Sequence, residues 1–176
     1  TAEIGKVIDA AMDAIEQADS IIVLGSDLNA ESAGFGYRVI KTATKLDAKL
    51  VIASARPTSL DKFSNLALRY KAGSETFVAL GLAKAAIKLC KAVAAEGLDG
   101  FTQSVDAVSF DQIQAATGLD EAAFNEAAEL IKGKVAILYG HEFIRSADAT
   151  AAITGAINLS ILTDADLYPI DEKNNT

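Results

Sequence analysis

Two short apolar runs constrain the fold of this chain more than any other feature. Ser20 to Gly25 reads S-I-I-V-L-G, and Lys49 to Ala53 reads K-L-V-I-A. Each is a short, continuously apolar run, as expected of a strand buried on both faces of a parallel sheet. Between them, Phe35, Val39, Ile40, Ala43 and Leu46 recur at helical spacing, with Arg38 and Lys41 off that face. Strand, crossover helix, strand is the βαβ unit, which within one sheet is almost always right-handed and parallel.

The pattern continues along the chain. Ile4, Val7, Ile8, Ala11 and Ile15 predict an amphipathic helix over 3–17, and Asn65 to Tyr70 reads as a short strand or edge segment. Ser74 is placed to cap a helix running to about Glu96, with Val78, Leu82, Leu89 and Val93 on one stripe and Cys90 beside it. Residues 97–118 read as a mobile excursion with a short helix around Phe110 to Ala116. Asp120 then caps a helix whose Phe124, Ala127, Ala128 and Ile131 share a face, and Lys134 to Tyr139 (K-V-A-I-L-Y) reads as a third buried strand. Ser146 opens a last helix with Ile153, Ala156, Ile157, Ser160 and Ile161 inward, and Leu167-Tyr168-Pro169 leads out of the domain. The expected fold is α/β: a Rossmann-like, doubly wound, mostly parallel sheet with helices on both faces, as one domain over residues 1–176.

Composition removes several classes of function. A formal charge of −8, from 24 acidic against 16 basic residues, does not suit a phosphate-neutralising surface, so no nucleic-acid partner is expected. No apolar run approaches the ~20 residues that span a bilayer, so direct membrane insertion is not expected. The single cysteine, Cys90, cannot by itself form an internal disulfide, a structural zinc site or an iron–sulfur cluster. It reads as a buried, inert thiol in a reducing compartment. The chain opens on Thr1-Ala2-Glu3 and closes on Lys173-Asn174-Asn175-Thr176, so both ends are expected to be cuts within a larger multidomain subunit.

In an open parallel sheet, ligands bind beyond the carboxyl ends of the strands. Four loops lie there. The first carries Gly25, Ser26 and Asp27, followed by Asn29, Glu31, Ser32, Gly34 and Gly36. Its glycines would let backbone N–H groups approach a phosphate, although the spacing is neither G-x-G-x-x-G nor a P-loop, and a plain strand-to-helix turn needs glycine too. The second is Ser54-Ala55-Arg56-Pro57-Thr58, where Arg56 suits either a phosphate or carboxylate partner or a helix C-terminus. The third, Gly73-Ser74-Glu75, reads first as a cap, with Glu75 also able to meet a base edge. The fourth holds the only histidine, His141, beside Glu142. No nucleophile or metal-ligand spacing accompanies that pair, so no catalytic residue and no metal ligand is assigned.

Taken in order, I-I-V-L-G-S-D-L-N-A-E-S (Ile21–Ser32), A-K-L-V-I-A-S-A-R-P-T-S-L (Ala48–Leu60), Y-K-A-G-S-E (Tyr70–Glu75), A-I-L-Y-G (Ala136–Gly140) and Y-P-I-D-E-K-N-N (Tyr168–Asn175) resemble the molybdopterin oxidoreductase superfamily over nearly the whole chain. Within it the chain is most similar to the large iron–sulfur subunit of bacterial NADH–quinone oxidoreductase (complex I), then to formate dehydrogenase α-subunits. The resemblance implies a Rossmann-like domain that, in catalytic relatives, holds one molybdopterin guanine dinucleotide. Carried over, the cofactor-binding positions are Gly25, Ser26 and Asp27; Ser54, Ala55 and Arg56; and Gly73, Ser74 and Glu75.

The departures from that pattern are specific. The family's Asp-Pro-Arg has become Ser54-Ala55-Arg56, its Asn-Pro has become Ser26-Asp27, and Glu75 stands where Asp is usual. The resemblance therefore implies a scaffold-type domain of a complex I-like subunit, with no cofactor of its own and with 4Fe-4S clusters elsewhere in the parent chain. Its partners would be the parent's other domains and other subunits, in a cytoplasmic peripheral arm, and exposed apolar residues would mark where they pack. The alternative it implies is a molybdopterin guanine dinucleotide-binding domain of a molybdenum or tungsten enzyme. A stand-alone nucleotide-binding module is a third.

Overall fold

A computed structural model of the chain describes residues 12–89 and 99–171. Its elements, in order, are β1 (Ser20–Leu24), α1 (Leu28–Glu31), α2 (Ala33–Lys45), β2 (Lys49–Ser54), a 3-10 turn (Asp61–Phe63), β3 (Leu66–Arg69), α3 (Glu75–Lys88), α4 (Asp99–Ala107), α5 (Phe110–Thr117), α6 (Glu121–Glu129), β4 (Val135–Tyr139), α7 (His141–Ile144), α8 (Ala149–Leu162) and β5 (Ala165–Pro169).

The strands form one five-stranded sheet in the order β3-β2-β1-β4-β5. Every neighbouring pair is parallel, with Ile22 of β1 opposite Val51 of β2 and Ile137 of β4. Strand order therefore reverses between β1 and β4, the switch point where a doubly wound sheet opens a crevice.

Successive side chains on a strand point to opposite faces, so β1 feeds two cores. Ile22 and Leu24 join Val51, Leu68, Val78, Leu82, Phe124, Ile137 and Leu159 beneath α3, α6 and α8. Ile21 and Val23 join Ile15, Leu28, Val39, Leu50, Ile52 and Leu138 on the other face, beneath α2. Helices on both faces explain why β1, β2 and β4 are continuously apolar rather than alternating.

Several sequence expectations change on contact with the structure. The stretch read as a mobile excursion holds two helices, α4 and α5, and α5 carries a capping box: Gln112 N–H donates to Ser109 Oγ while Ser109 N–H donates to Gln112 Oε1. Leu167-Tyr168-Pro169 does not lead out of the domain; it lies in β5, whose only sheet partner among the described residues is β4. A terminal proline is tolerated there because an edge strand has a free side. Asp148, not Ser146, caps the last helix, accepting from Ala151 N–H at 3.1 Å. On that helix Ile157 and Ile161 face outward, 41% and 43% exposed, while Ala156 and Ser160 are buried as expected. The helix after Ser74 is described over Glu75–Lys88, with Leu89 as its C-cap, and the remainder of the expected stretch to Glu96 lies outside the described residues.

Residues 12–16 are helical within the segment expected to be so. Residues 3–11 of that expected segment, Cys90 and Val93 lie outside the described residues. Among the described residues no helix is long and apolar enough to cross a membrane.

Candidate functional site

Three of the four candidate loops meet at the carboxyl ends of β1, β2 and β4, and the third loop follows β3. Gly25 ends β1 at φ +60°, a conformation that favours a residue without Cβ. Its N–H donates to Ala53 O at 2.7 Å and its carbonyl accepts from Glu142 N–H at 2.9 Å, which ties the loops after β1, β2 and β4 together.

Two carboxylates dominate this junction. Glu31, on α1, accepts from Ser26 Oγ at 2.9 Å, from Asp27 N–H at 3.0 Å and from His141 N–H at 3.1 Å. Glu142, on α7, accepts from Ser54 Oγ at 3.0 Å, Ala55 N–H at 2.9 Å and Tyr70 OH at 2.6 Å. Both are charge-assisted arrangements in which hydroxyl and backbone donors are directed at an anion.

Arg56 sits outside this junction, with Nε 3.8 Å from Glu142 Oε1 and its side chain 83% exposed. It lines two clefts. One, of about 520 Å³, is bordered also by Gly73, Glu75, His141, Arg145 and Ser146. The other, of about 350 Å³, is bordered also by Asp27, Glu31, Pro57 and Thr58.

The third loop is organised separately. Gly73, at φ +89°, donates its N–H to Glu75 Oε1 at 2.9 Å, and Ser146 Oγ donates to Glu75 Oε2 at 2.9 Å, leaving Glu75 only 3% exposed. Ser74 precedes α3 but its hydroxyl donates to Lys71 O at 2.6 Å, so it makes no N-cap bond to that helix.

The structure thus gathers Gly25, Ser26, Asp27, Ser54 and Arg56 around one crevice, with Gly73 and Glu75 on the wall of the larger cleft. Ser74 belongs to the turn. Sequence reading singles out Glu31 and Glu142 only as loop neighbours and misses their role as acceptors. The signal lies in their partners: hydroxyl and glycine loops at strand ends offer donors, and a nearby carboxylate of the same chain can take them. Among the described residues no group of three or more His, Cys, Asp or Glu side chains is arranged to hold a metal ion.

Tyr70 shows how closed the crevice is. Burial, and then the hydrogen bond to the Glu142 carboxylate, push its phenol well above the usual tyrosine range. A group whose folded pKa is raised contributes stability in full below its unfolded value, near pH 10, and that contribution is lost as pH rises through the folded value. Tyr70→Phe is expected to cost about 1.5–3 kcal/mol at neutral pH, as for a hydrogen bond to a charged group. Urea denaturation at pH 7 and above pH 10 would check this: the gap between wild type and variant should narrow only at the alkaline end.

Hydroxyl and backbone N–H donors of this kind are also what an anionic ligand would require. Ser54 Oγ, Ala55 N–H, Ser26 Oγ, Asp27 N–H and Gly73 N–H already serve carboxylates of this chain. A phosphate beside Glu142 would also meet like-charge repulsion of roughly 4 kcal/mol for unit charges ~4 Å apart at the dielectric typical near a protein surface. As built, the hydroxyl and backbone donors of the crevice are engaged by the chain's own carboxylates.

Comparison with known proteins defines the class. The molybdopterin oxidoreductase family model matches residues 4–169. The chain belongs to the molybdopterin oxidoreductase family. More particularly, it is 40% identical over 179 residues to the NADPH-Fe(3+) oxidoreductase subunit alpha of Geobacter sulfurreducens, in strains DL-1 / KN400 and ATCC 51573 / DSM 12127 / PCA. That match covers 93% of this chain and 21% of the relative, so the chain spans about a fifth of the length of those subunits. Acetylene hydratase from Pelobacter acetylenicus shares the fold, with a TM-score of 0.74 at 15% identity, over 87% of this chain and 24% of that one.

Proposed function

We propose that this chain is a structural domain of the large subunit of an oxidoreductase that passes electrons from a reduced nicotinamide nucleotide, through iron–sulfur clusters held elsewhere in the parent, to an acceptor. The observation that carries this reading is the pair of carboxylates at the switch point, Glu31 and Glu142, which take up hydroxyl and backbone donors that would otherwise be open to an anion. The Geobacter relative, named an NADPH-Fe(3+) oxidoreductase subunit, supports the electron-transfer part. The sequence resemblance to the complex I subunit refines it to NADH-to-quinone transfer in a cytoplasmic peripheral arm.

The domain's own contribution would be packing. Its α8 contains no charged residue, and Ile157 and Ile161 stand exposed beside the edge strand β5. An uncharged helix with large apolar side chains exposed supports contacts with the parent's other domains or with neighbouring subunits.

One feature favours the cofactor-binding alternative. Arg56 is exposed between two clefts, where it could pair with an anion from outside. The two readings separate on the intact enzyme. The purified protein is expected to oxidise NADH or NADPH with ferricyanide as acceptor and to release no guanosine monophosphate on acid hydrolysis. One equivalent of guanosine monophosphate per chain, together with stoichiometric molybdenum or tungsten, would favour the dinucleotide-binding domain instead.

A further inference from the structure

We infer that Glu142 is a built-in anion: its carboxylate occupies an oxyanion position at the β1/β4 switch point and is the residue that closes this crevice to phosphates. The inference rests on the structural-domain reading and assigns its cause to one side chain.

Three donors from different parts of the chain converge on Glu142. Ser54 and Ala55 follow from the end of β2, and Tyr70 lies just beyond β3. Their distances to the carboxylate lie between 2.6 and 3.0 Å, and Arg56 adds a guanidinium at 3.8 Å. Ser54 reaches one carboxylate oxygen and Ala55 and Tyr70 the other, and such hydroxyl and backbone donors, with an exposed arginine at the rim, suit an oxyanion.

The chain holds its own carboxylate there firmly. Glu142 N–H donates to Gly25 O at 2.9 Å, and a Cβ on Gly25 would lie 2.7 Å from the Glu142 Cβ, so the two loops are in direct contact. The position opens onto both clefts, since Glu142 and Arg56 line each of them. Without the carboxylate, Ser54, Ala55 and Arg56, which line the clefts, would face a space reachable from solvent, with the buried Tyr70 hydroxyl behind them. A phosphate-type ligand, rather than a neutral one, matches that donor set.

The test is whether removing this one carboxylate creates anion binding. The wild-type chain, Glu142→Ala and Glu142→Ala/Arg56→Ala would be compared by thermal unfolding and calorimetry in millimolar inorganic pyrophosphate, against chloride at matched ionic strength. The wild type is expected to show no shift. The Glu142→Ala variant should gain a Tm rise of roughly 5–10 °C when pyrophosphate reaches ~100 times its Kd, and the double variant should lose most of that gain. If Glu142→Ala does not fold, Glu142→Gln, which keeps the bulk and removes the charge, is expected to show a smaller rise of the same kind.

A folded variant with no response, beside an unresponsive wild type, would overturn the assignment to Glu142 and leave the structural-domain reading standing. Pyrophosphate binding by the wild type would overturn both.

Discussion

Replacing Phe124 by alanine is expected to lower stability by about 3–5 kcal/mol, the cost of a cavity left by a buried phenyl ring. For a domain of this size that corresponds to a fall in Tm of roughly 6–20 °C. Phe124 is fully buried in the larger core and is the side chain around which the α3–α6 contact is built. A Cβ on Gly81 of α3 would run into its ring, so Gly81 and Phe124 form a matched pair of hole and filler. On its other side it packs against Phe110, with ring centroids 6.3 Å apart. Enclosed between Gly81 and Phe110, the ring leaves a cavity when truncated, which places the expected loss in the range for buried phenylalanines. Calorimetric unfolding of the variant checks this; a fall in Tm of only a degree or two would mean that the core relaxes around the gap.

Gly25→Ala is expected to have the second largest effect, about 2–5 kcal/mol, because it combines left-handed backbone strain with overpacking. Gly25 has φ +60°, and a Cβ there would lie 2.7 Å from the Cβ of Glu142, 2.8 Å from Cδ2 of Phe143 and 3.1 Å from the Tyr70 hydroxyl. Gly73→Ala is the natural control. Gly73 has φ +89°, but a Cβ there would meet nothing within 4 Å, so only the strain, about 1–2 kcal/mol, should appear. Urea titrations of the two variants separate the contributions. Equal losses at both positions would show that the contact between Gly25 and the Glu142 loop is not tight.

Much of the fold was legible because strongly buried strands announce themselves. β1, β2 and β4 are unbroken apolar runs, and α6 shows both its Asp120 cap and a clear inward stripe. Other elements give weaker signals. β5 has Asp166 and Pro169 among its five residues, so it lacks the apolar run of a central strand; it forms because β4 offers it an edge. On α8 the absence of any charged residue leaves periodicity nothing to choose between, and pattern alone points Ile157 and Ile161 inward when both face out. Helix α4 opens on Asp99-Gly100, a pair that suggests a loop, yet the Ser109-x-x-Gln112 box ahead of α5 is a readable start signal.

The site divides in the same way. Its loops could be placed from topology alone, since strand ends at a switch point are where a doubly wound sheet opens. What fills it could not. Glu142 meets Ser54, Ala55 and Tyr70 across 72 to 88 residues of sequence, and His141 N–H meets Glu31 across 110. Such contacts exist only once the sheet has brought β1, β2 and β4 side by side, and no local pattern encodes them.

Titration of guanosine diphosphate into the wild-type chain by isothermal calorimetry is the most direct measurement of whether this crevice is closed by its own carboxylates. No heat beyond dilution is expected at millimolar nucleotide. Micromolar binding that disappears in Arg56→Ala would contradict a closed crevice and make this a nucleotide-binding domain.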